Sequence, residues 1–255
     1  MEISATIITF NEENNIARCI KSLSFVDEVI VVDSFSTDQT VKIAKQLGAK
    51  VIQHEFLGYG QQKNLAASHC QHEWILNIDA DEEVDPDLGQ QIRALNLGKP
   101  GLYNLNRRTL FCGRWISHGG WYPDRVNRLY HKEFAKWTEP HVHEDLLPIT
   151  QGAQAQRLGG HLRHYSFPTI KSQIQTNLKY AELGAQDLIK RRSGKAPNLI
   201  AVCLRPLGKF IECYFLKRGF LDGREGFIIA INAAHSMFMK YSMAHLEGYK
   251  NEERH

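Results

Sequence analysis

Short β-rich apolar runs alternate with amphipathic stripes over the first hundred residues, and this alternation limits the fold more than any other feature. Ile3–Phe10 is largely apolar, as a buried parallel strand would be. Asn14–Leu23 follows, with Ile16, Ile20 and Leu23 on one helical stripe. Glu28–Val32 reads as a second strand. Ser36 and Gln39 form an expected capping box for a helix over Thr37–Leu47, which Gly48 would stop. Lys50–His54 is a third strand, Gly60–Cys70 a helix and Trp74–Ile78 a fourth strand. Asp85 and Pro86 read as cap and first position of a helix reaching Leu95. Repeated strand–helix units predict a parallel sheet with helices on both faces. Ligands of such sheets bind beyond the carboxyl ends of the strands. The residues there are Phe10-Asn11-Glu12, Asp33-Ser34 and Asp79-Ala80-Asp81.

The pattern then changes. Residues 101–150 are dense in Gly, Trp, Arg and His, as loops over a site would be, with strands expected at Leu102–Asn106 and Val126–Tyr130. Residues 171–192 read as a helix with Ile174, Leu178, Ala181, Ala185 and Leu188 on one stripe. From Leu199 onward apolar and aromatic residues interleave with Arg205, Lys209, Lys217, Arg218 and Arg224. Charge divides the same way. Residues 1–160 carry 16 Lys+Arg and 20 Asp+Glu, whereas residues 161–255 carry 15 and 8. A basic, aromatic-rich C-terminal segment suits an anionic leaflet or a phosphorylated partner. It contains no recognisable nucleic-acid motif, so no nucleic-acid partner is expected.

Five cysteines, with no CxxC pair, fit free thiols in a reducing compartment. No secretory signal is read at the start of the chain. The longest apolar stretch, Phe227–Met239, is interrupted by Asn232, His235 and Ser236 and is too short to span a bilayer. The expected location is cytoplasmic and peripheral at the inner membrane.

Asp79, Asp81, Glu82 and Glu83 place four carboxylates within five residues, where they repel one another. A divalent cation, Mg²⁺ or Mn²⁺, would relieve that repulsion and also hold substrate phosphates. Read alone, the same run is equally an acidic turn before a helix. Asp33 is a candidate acceptor for a base or ribose, although taken alone the turn-rich Asp33-Ser34-Phe35-Ser36 favours a simple turn or cap. Asn11-Glu12-Glu13-Asn14 is by itself a helix cap. Lys63, Arg125 and Arg128 are candidate phosphate contacts. His164 is a candidate metal or diphosphate contact, and Trp115, Trp121 and Trp137 are candidate sugar platforms.

Taken in order, Thr9-Phe10-Asn11-Glu12-Glu13-Asn14, Val31-Val32-Asp33-Ser34-Phe35-Ser36-Thr37-Asp38 and Asn77-Ile78-Asp79-Ala80-Asp81-Glu82 resemble the successive signatures of glycosyltransferase family 2. The resemblance covers about the first 150 residues. It implies an inverting enzyme with the α/β GT-A fold, a mostly parallel sheet with helices on both faces. A catalytic domain over 1–165 and a helical C-terminal extension over 166–255 are expected. It also implies a nucleotide-sugar donor. Asp33 would contact the nucleoside, Asp79 the ribose or the metal, and Asp81 the metal on the diphosphate. Glu12 and the backbone near Phe10 and Asn11 would line the base pocket. Three further segments begin at Tyr122-Pro123-Asp124-Arg125, at His141-Val142-His143-Glu144-Asp145 and at His161-Leu162-Arg163-His164. They resemble the bacterial lipopolysaccharide inner-core β-glucosyltransferases, which implies UDP-glucose as donor and a core heptose as acceptor. Inversion needs a base for the acceptor hydroxyl; the resemblance gives that role to Glu144, with Asp145 as the alternative.

Two other classes compete. His141-x-His143-x-Asp145 begins a metallo-hydrolase pattern, but Leu146 occupies its final histidine position. A non-catalytic membrane-surface module would use the basic tail alone. Metal-linked nucleotide binding separates a transferase from both.

Overall fold

The computed structural model describes residues 2–139, 144–149, 152 and 154–252. Strand–helix alternation produces β1 (Ile3–Thr9), α1 (Ile16–Ser22), β2 (Glu28–Asp33), α2 (Thr40–Gln46), β3 (Lys50–Gln53), α3 (Tyr59–Ser68) and β4 (Trp74–Asp79). The chain continues as β5 (Glu82–Val84), α4 (Pro86–Arg93), β6 (Leu102–Phe111), β7 (Arg114–Trp115) and β8 (Asp124–His131). Then come β9 (Ala135–Trp137), β10 (Leu146–Pro148), β11 (Gln156–Arg157) and β12 (Leu162–Phe167). Three helices follow: α5 (Ile170–Arg191), α6 (Leu199–Ile211) and α7 (Gly223–Glu252).

The main sheet runs β3-β2-β1-β4-β8-β6-β12-β5. Its first four strands are mutually parallel. From β8 onward antiparallel pairs take over, joined by a parallel β11–β6 edge. Side chains alternate across the parallel part as the pleat requires. Val31, Leu76 and Ile78 face a core shared with Ile16, Cys19 and Ile20 of α1, Ala44 of α2 and Leu88 and Ile92 of α4. Ile30, Val32 and Ile75 face the opposite core, which contains Ala66 and Ala67 of α3. Helices therefore cover both faces, as the alternation predicts.

Asp85 caps α4 by accepting from the Leu88 N–H at 2.8 Å, with Pro86 at the first helical position. Gly48 ends the α2 turn at φ 84°. The expected Ser36–Gln39 capping box does not form. The Ser36 hydroxyl donates to Asp33 instead, and Asp38 accepts from the Thr40 N–H at 3.0 Å. A carboxylate is the stronger acceptor, so the loop folds back on Asp33 and α2 starts at Thr40.

By its internal contacts the chain forms two compact units. Met1–Arg107 with Asp124–His164 makes the first, and Arg108–Pro123 with Tyr165–His255 the second. Within the second unit, Phe111 and Ile116 pack with Ile229 around Trp121 and Phe167. Buried Asp222 accepts from the backbone N–H groups of Ser117 and His118, the latter at 2.7 Å. α5 buries Gln173, Ala181 and Ala185, while Ile174 and Leu178 of the expected stripe stay exposed. Among the described residues no helix is long and apolar enough to cross a membrane.

Candidate active site

The carboxyl ends of β1, β2 and β4 lie side by side in the first unit. Strand register sets Thr9 opposite Asp33 and Ile8 opposite Asp79. Asn11 follows β1 at φ 55°, a left-handed conformation that Asn tolerates better than most residues. Its backbone N–H donates to Ser36 Oγ, and its Oδ1 accepts from the Thr37 N–H, both at 2.8 Å. The Glu12 N–H donates to Thr40 Oγ1 at 2.8 Å. These bonds knit the β1 and β2 loops together and leave the Phe10 ring exposed. Asp33 is fully buried. It accepts from the Ser36 N–H at 2.9 Å and from Gln53 Nε2 at 3.2 Å, so it holds the loop from beneath. Burial, with the neighbouring charge of Asp81, pushes the Glu12 carboxyl above its ordinary range.

Beyond β4, three of the four clustered carboxylates pair with Arg or Lys within the protein, and the fourth, Asp81, with a histidine. Asp79 is shared by Arg128 and Lys63, the latter at 3.4 Å. Glu82 is paired with Arg128 at 2.9 Å and Arg107 at 3.4 Å. Glu83 meets Arg163 at 3.2 Å, and Asp81 meets His164 Nε2 at 3.2 Å. The Arg and Lys partners offset the mutual repulsion of Asp79, Glu82 and Glu83. Arg128 also donates to Asn77 Oδ1 at 3.2 Å, and Arg107 to Asp124 at 2.8 Å. Burial alone would raise the Asp79 carboxyl, but Arg128 and Lys63 outweigh it and hold the group far below the usual carboxylate range. Conversely, burial would lower the Arg128 guanidinium, and Asp79 and Glu82 raise it instead.

Lys63 is the junction of this network. Its Nζ donates to Glu144 Oε1 at 2.8 Å and stands 4.3 Å from the centre of the Trp137 ring. Trp137 is buried, so it backs the lysine and is not a sugar platform. Local packing fixes α3 there. Asn64 Nδ2 donates to the Trp137 carbonyl at 3.0 Å, and the Trp137 N–H donates back to Asn64 Oδ1 at 3.2 Å. A Cβ at Gly60 would sit 1.9 Å from the Thr138 carbonyl oxygen, so only glycine allows this approach.

Asp145 is exposed, and its N–H donates to Thr138 Oγ1 at 2.8 Å. His141 and His143 lie outside the described residues. Arg125 donates to the Leu158 carbonyl at 3.4 Å rather than joining the network. In the second unit, Trp115 meets Tyr165 edge-on at 5.3 Å, and half-buried Trp121 packs against the Phe111–Ile116–Ile229 core. Arg107, Asn64 and Gly60 were not readable as site residues, because their partners lie far away in sequence.

Among the described residues no group of three or more His, Cys, Asp or Glu side chains is arranged to hold a metal. Asp81 and His164 provide a carboxylate and an imidazole, both partly exposed. That pair fits a divalent cation taking the rest of its shell from substrate phosphates and water. Burial would lower the His164 imidazole, but hydrogen bonding to Asp81 raises it.

A family model described as glycosyl transferase family 2 matches residues 4–148. An uncharacterized glycosyltransferase of Rickettsia typhi is 35% identical over 250 residues, covering 94% of this chain and 85% of that protein. The lipopolysaccharide core biosynthesis glycosyltransferase LpsC of Rhizobium meliloti is 29% identical over 252 residues, covering 94% and 90%. A crystal structure of S. aureus TarS in complex with UDP-GlcNAc is 15% identical with a TM-score of 0.47, covering 100% of this chain and 92% of that one.

Proposed function

Because the chain belongs to glycosyltransferase family 2, we propose that it transfers glucose from UDP-glucose, with inversion, to a heptose of the lipopolysaccharide inner core. Similarity to LpsC over 94% of the chain supports the acceptor class. The observation that carries the reading is the position of Lys63, whose Nζ is 2.8 Å from Glu144 and 3.4 Å from Asp79. One buried cation thus joins the candidate base to the candidate donor site.

Phe10, Asn11 and Glu12 line the nucleoside pocket, and Asp33 fixes the loop that closes it. Asp79, oriented by Arg128 and Lys63, serves the ribose side. Mg²⁺ or Mn²⁺ on Asp81 and His164 would supply counter-charge for the departing diphosphate. The acceptor hydroxyl oxygen attacks the anomeric carbon opposite the diphosphate. Its new C–O bond forms as the old one breaks, which inverts the centre, and Glu144 takes the hydroxyl proton. Lys63 holds Glu144 in place and sets positive charge on the donor side.

Calorimetric titration with UDP, GDP, CDP and dTDP, with and without Mn²⁺, tests the donor site. UDP binding that strengthens with Mn²⁺, and loses that gain in Asp81→Ala, is the expected result. Absence of binding to every nucleotide would sink the assignment. Incubation with UDP-glucose and heptose-containing core oligosaccharides then tests the acceptor, with a β-linked glucose as the expected product.

A further inference from the structure

The amphipathicity of α6 is inverted. Its inward side is Val202 with half-buried Pro206 and Phe210, whereas Leu199, Ile200, Leu204, Leu207 and Ile211 point outward. Ile200, Leu204, Leu207 and Ile211 follow one another at helical spacing, so they form a continuous stripe. A five-residue π-turn (Glu212–Leu216) and a 3₁₀ turn (Gly219–Asp222) extend it with Phe215, Leu216, Phe220 and Leu221. These nine side chains are 43% to 75% exposed. An apolar surface of this extent marks a docking face.

Its border identifies the partner. Residues 190–224 contain nine Lys+Arg and two Asp+Glu. Lys190, Arg192 and Lys195 lie exposed just before α6 and Arg218 in the turns after it, while exposed Arg191, Lys217 and Arg224 are ion-paired with Asp187, Glu212 and Glu225. Of the two acids, Asp222 is buried on Ser117 and His118, and Glu212 pairs with Lys209 and Lys217. A second copy of the chain would bring two like-charged borders together, which opposes a symmetric dimer. An anionic bilayer complements both the apolar centre and the cationic edge. Thirteen residues make a helix about 20 Å long, too short to span a bilayer of about 30 Å, so α6 would lie in the interface plane.

We propose that the outward face of α6 and the turns following it dock the second unit on an anionic lipid bilayer. This rests on the reading of a lipopolysaccharide acceptor, but its test uses no sugar, so the two succeed or fail separately.

The test is co-sedimentation of the full chain with phosphatidylcholine vesicles, with and without phosphatidylglycerol. The chain binds the phosphatidylglycerol vesicles, and added salt weakens the binding. Leu204→Glu with Leu207→Glu lowers partitioning at least about tenfold, and Lys195→Glu with Arg218→Glu abolishes the preference for anionic lipid. Circular dichroism checks folding of each variant, and Leu216→Glu at the π-turn is the second apolar probe should the α6 pair misfold. Equal binding to both vesicle types, or none, overturns the proposal. So does a dimer in sedimentation velocity that the leucine substitutions split while vesicle binding is unchanged.

Discussion

Lys63 Nζ donates to Glu144 Oε1 at 2.8 Å across 81 residues of sequence. A neutral amide at 144 can still accept from this lysine but cannot take a proton. Glu144→Gln is therefore expected to fold, to bind UDP as the wild type does, and to lose about 10²–10⁴-fold in transfer rate. Steady-state glucosylation beside UDP calorimetry reads both effects. An unchanged rate would move the base elsewhere in the site.

Gly60 tests the approach of α3 to Thr138. In an unobstructed helix, alanine would be up to about 1 kcal/mol more favourable than glycine. Here its Cβ meets the Thr138 carbonyl at 1.9 Å, and a backbone oxygen has little room to yield. The clash is expected to win, making Gly60→Ala less stable by about 1–3 kcal/mol. Transfer should weaken as well, because Lys63 moves with its helix. Urea unfolding gives the sign directly, and a stabilised variant would refute the contact.

Asp79 predicts a pH dependence of stability. Its folded carboxyl lies below the unfolded value of about 3.8 because Arg128 and Lys63 outweigh burial. A depressed group contributes stability that is complete above the unfolded value and is lost as pH falls beneath it. The stability difference between wild type and Asp79→Asn should thus be constant near neutrality and shrink below about pH 4. Chemical unfolding at neutral and acid pH measures it. A difference that grows on acidification would contradict the pairing.

The parallel half of the fold was legible because each strand and its helix are local in sequence. Strand-end acids were legible for the same reason: Asp33, Asp79 and Asp81 follow apolar runs directly. Their partners were not. A run of four carboxylates does not reveal that Asp79, Glu82 and Glu83 are held by Arg107, Arg128 and Arg163 from β6, β8 and β12, which leaves Asp81, beside His164, as the carboxylate for a metal. Ser36 had the spacing of a cap, but a nearby carboxylate took its hydroxyl. Periodicity also identifies an apolar stripe without saying whether it faces inward. Ala181 and Ala185 of α5 are buried, whereas Leu204 and Leu207 of α6 are not.

The second unit is assembled from two separated stretches, Arg108–Pro123 and Tyr165–His255. Shortening the gene after residue 165 would remove Asp222 and Ile229 while keeping the loop they support, Phe111 to His118. Such a fragment would carry a frayed apolar insertion and would aggregate rather than report on an isolated first unit. Chimeras meet the same obstacle. Exchanging this unit between homologues requires breaks at 107/108, 123/124 and 164/165, so natural recombination at a single crossover cannot shuffle it as a cassette.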